Sequence, residues 1–183
     1  MELKAWETVP GSREVMHENP YYSVYREKFI LPSGKEGMYH VVQGDPAAMI
    51  VPLLPNGKIR MVKQYRYISQ EESLEFPCGS TRHGNRVDSP EEAAIRELAE
   101  EAHLGGILKS IGNFSPWNGI SSERCFVFVA EECSESIMEA DETEEFLFFD
   151  FTPKEIANLI REGKITDGMS LAAWVLFQTY ANL

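Results

Sequence analysis

Glu97, Glu100 and Glu101 place three carboxylates within one turn of a helix expected over Ser89–His103. At about 100° of rotation per residue they lie within about 100° of one another. Ile95, Leu98, Ala99 and Ala102 fall on the opposite side. Glutamates three and four apart repel by about a few tenths of a kcal/mol per pair. Arg96 is the only cation on this helix, placed to brace Glu92 or Glu100. A glutamate-rich stripe is, taken alone, also the pattern of a solvated helix face. Hard oxygen ligands this close nevertheless suit Mg²⁺ or Mn²⁺, which take few carboxylates and keep waters for a substrate.

The chain around this helix has 183 residues, a size that suits one compact domain with a substantial core. Twenty-nine acidic and 17 basic residues give a formal charge of −12. That charge argues against general nucleic-acid binding. A small anionic substrate fits only where divalent cations stand between it and the acidic groups. Cys78, Cys125 and Cys133 form no CxxC pair, which points away from a zinc site or disulfide framework and toward a reducing compartment. No signal-peptide-like run opens the sequence and no stretch approaches the ~20 apolar residues of a membrane span, so the expected location is the cytoplasm and no membrane partner is expected.

The elements that must hold the helix follow from local patterns. Tyr21–Phe29 and Met38–Val42 read as strands of a hairpin around Ser33-Gly34. Ala47–Leu54 and Ile59–Tyr67 read as a second hairpin around Pro55-Asn56-Gly57. A polar stretch from Ser80 to Asp88 precedes the helix. Ser89, Pro90 and Glu92 supply an N-cap, a first-turn proline and a capping box, and Gly105-Gly106 is the expected stop. Strands are expected at Ile107–Phe114, Cys125–Ala130 and Phe146–Phe151, and helices at Pro153–Glu162 and Ser170–Tyr180. This order implies a mixed sheet between helical layers, an α+β fold.

Arg96-Glu97-Leu98-Ala99-Glu100-Glu101 resembles the core of the Nudix box, G-x5-E-x7-R-E-U-x-E-E-x-G-U with U apolar, and Leu104 fills its last apolar place. Leu74-Glu75-Phe76-Pro77-Cys78-Gly79 resembles the L-E-x-P-A-G entry of the ADP-ribose and nucleoside diphosphate sugar pyrophosphatases. Val62–Tyr67 is similar to the strand before it, and Asp141–Glu145 with Gly163-Lys164-Ile165 to their acidic loop and C-terminal segment. The resemblance covers roughly residues 20–180. It implies the Nudix fold, an α/β/α sandwich with a mixed β-sheet and a catalytic loop-helix-loop. Residues 1–183 would form a single domain, with N-terminal strands over 1–45 and the box over 79–104.

Three positions depart from the pattern. Asp88 stands where the family has glutamate, leaving the expected brace to Arg96 one methylene short. His103 replaces the box glycine and is expected to extend the helix to Gly105. The loop from Gly79 to Asp88 carries three extra residues.

The resemblance implies a magnesium-dependent hydrolase, with manganese as a substitute. Glu97 and Glu101 would be the main metal ligands, Glu100 would serve a further ion, and the Cys78 carbonyl would complete one coordination sphere. Among the box residues, Glu100 and Glu101 would take part in catalysis. Glu142 matches the place of the general base, with Glu144, Glu145 and a box glutamate as competitors. Arg66 and Glu75 would contact substrate. Trp6 and Trp117, with Tyr21 and Phe114, are candidates for stacking on a base, although each is also ordinary core packing. Relatives of this kind commonly form homodimers through their N-terminal strands. The implied reaction splits a nucleoside diphosphate sugar, ADP-ribose or a hexose conjugate, into a nucleoside monophosphate and a sugar phosphate. A triphosphate or dinucleotide pyrophosphatase and a catalytically weak nucleotide-sugar sensor are the alternatives.

Overall fold

A computed structural model describes residues 4–136 and 146–182. Their contacts divide the chain into two compact units. The first comprises the residues up to Asp45 with Ser115–Glu123, and the second comprises Pro46–Phe114 and Arg124 onward.

In the first unit, β1 (Glu7–Thr8), β2 (Glu14–Glu18), β3 (Tyr22–Ile30) and β4 (Glu36–Gly44) form an antiparallel sheet centred on β3. β4 pairs along the whole of β3, and β1 and β2 share its other edge. The expected hairpin turn is present, with Gly34 at φ 83°, a left-handed conformation that glycine adopts without cost. Every residue of β2 is exposed. Charge pairs tie it to its neighbour, Arg26 Nη2 lying 2.7 Å from Glu14 Oε2.

The second unit holds β5 (Ala47–Pro52), β6 (Ile59–Arg66), β7 (Glu71–Glu75), β8 (Cys78–Ser80), β9 (Arg82–His83), β10 (Arg86–Val87), α1 (Pro90–Ala102), β11 (Leu104–Phe114), β12 (Cys125–Glu135), β13 (Leu147–Phe151), α2 (Pro153–Arg161) and α3 (Gly168–Ala181). Its expected mixed sheet has the order β11-β12-β5-β8, with β12 and β5 parallel and the other pairs antiparallel. A separate antiparallel sheet, β13-β6-β7, accompanies it. The polar Ser80–Asp88 stretch contains a small hairpin of β9 and β10, turned by Gly84 at φ 57°.

Period-two alternation in the central strands builds the sandwich. Ala47, Met49 and Val51 of β5, with Cys125, Val127 and Val129 of β12, share one core with Ile156 of α2 and Ala173, Trp174 and Phe177 of α3. Ala48 and Ile50, with Phe128 and Ala130, share the other with Ala93, Ala94, Leu98 and Ala102 of α1. Helices therefore cover both faces of a sheet whose central strands, β5 and most of β12, are buried on both sides, giving the α/β/α layers that the resemblance implies. Each fully buried Val, Ile or Leu contributes roughly 1.5–3 kcal/mol relative to exposure.

Candidate active site

α1 begins as its sequence dictates. The Ser89 side chain accepts from the Glu92 N–H at 3.2 Å, and Glu92 Oε2 accepts from the Ser89 N–H at 2.8 Å. The far end differs from expectation. The helix stops at Ala102, and His103 itself takes the left-handed cap at φ 53°, ψ 39°. Gly105 and Gly106 lie instead in β11. A non-glycine residue in that conformation costs roughly 1–2 kcal/mol. The His103 ring lies 4.9 Å from that of Phe148, and Arg60 Nη1 donates to the Ala102 carbonyl at 3.2 Å.

The buried face of α1 also departs from the sequence reading. Ile95, expected on the packed side, is 55% exposed, whereas Glu97 and Glu101 are each 6% exposed. The packed arc runs from Ala93 and Ala94 to Leu98 and Ala102, and the two glutamates lie within it. The solvated-face alternative is thus overturned for these two side chains. Small alanines bring the helix close to the sheet, where β8 meets the acids with backbone. The Cys78 N–H donates to Glu101 Oε2 at 2.7 Å. A Cβ at Gly79 would lie 2.0 Å from Glu97 Oε1, so a side chain there would collide with the carboxylate.

Arg96 organises the acids. Its Nη1 donates to Glu97 Oε1 at 2.5 Å and Glu100 Oε2 at 3.1 Å, and its Nη2 to the Ser80 carbonyl at 2.8 Å. Burial opposes the charge of this guanidinium, but Glu97 and Glu100 outweigh burial and hold its pKa above the ordinary arginine value. Of the two partners expected for Arg96, Glu100 is the one it meets, since Glu92 closes the helix cap and pairs with Arg86 at 3.1 Å. The shorter Asp88 still reaches its brace, with Oδ2 3.4 Å from Arg96 Nε.

Glu75 is 3% exposed and meets Arg66 in a two-point pair, with Arg66 Nε 2.8 Å from Oε1 and Nη2 on Oε2. Pairing with Glu75 is the main reason the Arg66 pKa is raised. Both residues line a cavity of about 660 Å³ with Tyr65, Tyr67, Thr166 and Asp167. Ser170, a buried residue the sequence reading did not single out, accepts from the Phe76 N–H at 3.0 Å and so anchors the segment leading to Cys78. The Cys78 thiol is held well above its usual pKa by its interaction with Cys125 and by burial, which makes it a poor nucleophile.

Trp6, Tyr21 and Trp117 belong to the first unit. Trp6 stacks on Phe29 at 4.6 Å, and Trp6, Tyr21 and Trp117 are all exposed. Phe114 packs against the core beside α3. Glu142, Glu144 and Glu145 lie outside the described residues.

Among the described residues, no three His, Cys, Asp or Glu side chains converge as a ready-made ligand set. The donor chemistry still fits a hard divalent cation. Two buried carboxylates and a third, Glu100, share one helical turn beside a strand backbone, with neither imidazole nor thiolate among the acids.

The NUDIX domain model matches residues 44–170. The chain belongs to the NUDIX family. An ADP-ribose pyrophosphatase of Bacillus subtilis (strain 168) is 29% identical over 174 residues, covering 93% of this chain and 92% of the relative. A methanol dehydrogenase activator of Bacillus methanolicus is 27% identical over 146 residues, 78% of this chain and 77% of that protein. The crystal structure of an ADP compounds hydrolase matches with a TM-score of 0.83 at 20% identity, covering 100% of this chain and 97% of the other, a likeness of fold. The chain is a hydrolase of the Nudix pyrophosphatase kind, and Nudix enzymes generally use divalent metals. No helix among the described residues is long and apolar enough to cross a membrane.

Proposed function

We propose that this Nudix hydrolase splits the diphosphate bond of a nucleoside diphosphate sugar, ADP-ribose or a hexose conjugate, into a nucleoside monophosphate and a sugar phosphate. The observation that carries the reading is the burial of Glu97 and Glu101 against the Cys78–Gly79 backbone. Arg96 and the Cys78 N–H hold these acids in place, so that with Glu100 they offer hard oxygen donors from one helical turn. The name and extent of the Bacillus subtilis relative support the substrate class.

In this reading Glu97 and Glu101 hold Mg²⁺ or Mn²⁺, Glu100 serves a further ion, and the Cys78 carbonyl joins one coordination sphere. The bound ion supplies charge neutralisation of the diphosphate and acidification of the attacking water. Arg96 keeps Glu97 and Glu100 in register, and Glu101 is steadied by the Cys78 N–H. Arg66, oriented by Glu75, contacts the phosphate or nucleotide. Glu142 takes the proton from water, with Glu144 and Glu145 as its nearest alternatives. The enzyme acts as a cytoplasmic homodimer.

The test is incubation with Mg²⁺ and a panel of ADP-ribose, ADP-glucose, GDP-mannose, UDP-glucose, a dinucleotide and nucleoside triphosphates, reading phosphate after phosphatase coupling. Turnover confined to diphosphate sugars and abolished by EDTA is expected. Preferred turnover of triphosphates or dinucleotides would overturn the substrate class. Silence throughout, with ligand-induced thermal stabilisation, would make the protein a sensor. Glu142→Gln should lower kcat more than it raises KM. A larger loss in Glu144→Gln would move the base by two residues.

A further inference from the structure

Asp88 presents a chemical problem that its neighbours solve in an unusual way. Its side chain is 6% exposed, and Oδ1 is buried without a hydrogen bond of standard geometry. Oδ2 reaches Arg96 Nε at 3.4 Å, a long contact for a charge pair, as a side chain one methylene shorter than glutamate would make. The remaining oxygen faces Arg86, whose Nε lies 2.5 Å from Oδ1. Arg86 sits on β10, in the hairpin formed within the longer Gly79–Asp88 loop, and its Nη2 also contacts Glu92 Oε1 at 3.1 Å. The charges therefore run without a break from Arg86 to Asp88, to Arg96, and on to Glu97 and Glu100.

We propose that Arg86 is a positioning residue for the carboxylates of α1. It compensates for the short acid at position 88 by holding Asp88 within reach of Arg96, and the hairpin exists at this point to deliver it. Arg86 is itself 68% exposed, and an exposed ion pair ordinarily contributes little. Here the acid's oxygen is buried, so losing the partner leaves a desolvated charge free to turn away from Arg96. Arg96 then loses the contact opposite its two glutamates, and those side chains lose their fixed orientation. A glutamate at position 88 would span the gap with both oxygens on Arg96 and would not need Arg86. The inference rests on the metal-binding role proposed for Glu97 and Glu100.

The test is a double-mutant cycle on the full chain, read by Mn²⁺ binding in electron paramagnetic resonance and by the Mg²⁺ concentration for half-maximal ADP-ribose hydrolysis. Arg86→Ala should weaken Mn²⁺ binding about tenfold, as loss of groups that orient metal-ligating side chains typically does. Arg86→Lys, which keeps the charge and loses the planar fork, should fall between. In an Asp88→Glu background, Arg86→Ala should change Mn²⁺ binding less than about twofold. Unchanged Mn²⁺ binding in Arg86→Ala overturns the inference, as does an equal loss in both backgrounds, which would mark Arg86 as merely structural. Wild-type protein that binds no Mn²⁺ would instead remove the metal reading itself, and the inference with it.

Discussion

α1 and α2 start with the same local chemistry and end with different purposes. Ser89-Pro90-Glu91-Glu92 and Thr152-Pro153-Lys154-Glu155 each form a complete capping box with proline in the first turn. Beyond that turn they diverge. α2 buries Ile156 in an apolar core and is followed by Gly163 at φ 68°, the residue type best suited to a left-handed turn. α1 buries two glutamates beside its alanines and is capped by a left-handed His103. A helix whose packed face contains acids, and whose cap lacks glycine, gives up stability that α2 keeps. The strain and the buried charge sit together at the place proposed for chemistry.

This contrast can be broken most severely at Glu101. Glu101→Gln should lower kcat by about three orders of magnitude or more while the melting temperature stays within a few degrees. Near-normal turnover would make the buried acids of α1 packing residues after all. The counterpart in α2 is Ile156→Ala. It should cost about 2–5 kcal/mol of stability in denaturant titration through the cavity it leaves, with kcat little changed below the unfolding transition.

Smaller effects sharpen the comparison at the helix ends. His103→Gly should relieve the left-handed cap and raise stability by about 1 kcal/mol, less whatever the His103–Phe148 ring contact contributes. A drop in melting temperature would mean the ring contact outweighs the strain. Ser89→Ala and Thr152→Ala should each cost about 1 kcal/mol, and by similar amounts, because the two caps are built alike. The smallest effect is one of pH. Acceptance from the Ser89 and Thr152 N–H groups, chiefly, lowers the pKa of Glu92 and Glu155 below the ordinary 4.5. The stability they add is fully present above 4.5 and is lost as pH falls from there through the lowered values. Replacing both glutamates with glutamine should therefore flatten acid unfolding in that window.

Much of this could be read from short segments. The turns at Gly34 and Gly57, the α1 start and the starts of β5 and β12 depend on hydrogen bonds and side-chain periods spanning a few residues, and they lie within a few residues of expectation. The second expected hairpin does not form, because β5 pairs with β12 and β8 while β6 pairs with β13 and β7, leaving only a bridge from Leu53 to Ile59. The β9–β10 hairpin was illegible because strands of two residues carry no alternation to detect. The end of α1 was misjudged for a related reason. Gly105-Gly106 is a strong local stop signal, but β11 starts at Leu104, and its pairing with β12 claims those residues first.

The sequence by itself determined which acids share a helical turn, where that helix begins, and that Arg96 stands among them, since these follow from spacing along one chain segment. Only the tertiary structure decided that Glu97 and Glu101 are buried and Ile95 is not, because helix geometry fixes the angles between side chains but not which arc meets the sheet. It also decided that the Cys78 N–H and the bare Gly79 backbone meet those acids, that Arg66 and Glu75 pair, and that Arg86 completes Asp88. Most of these contacts join separate strands and helices, and the strand pairing that sets them depends on the packing of both cores.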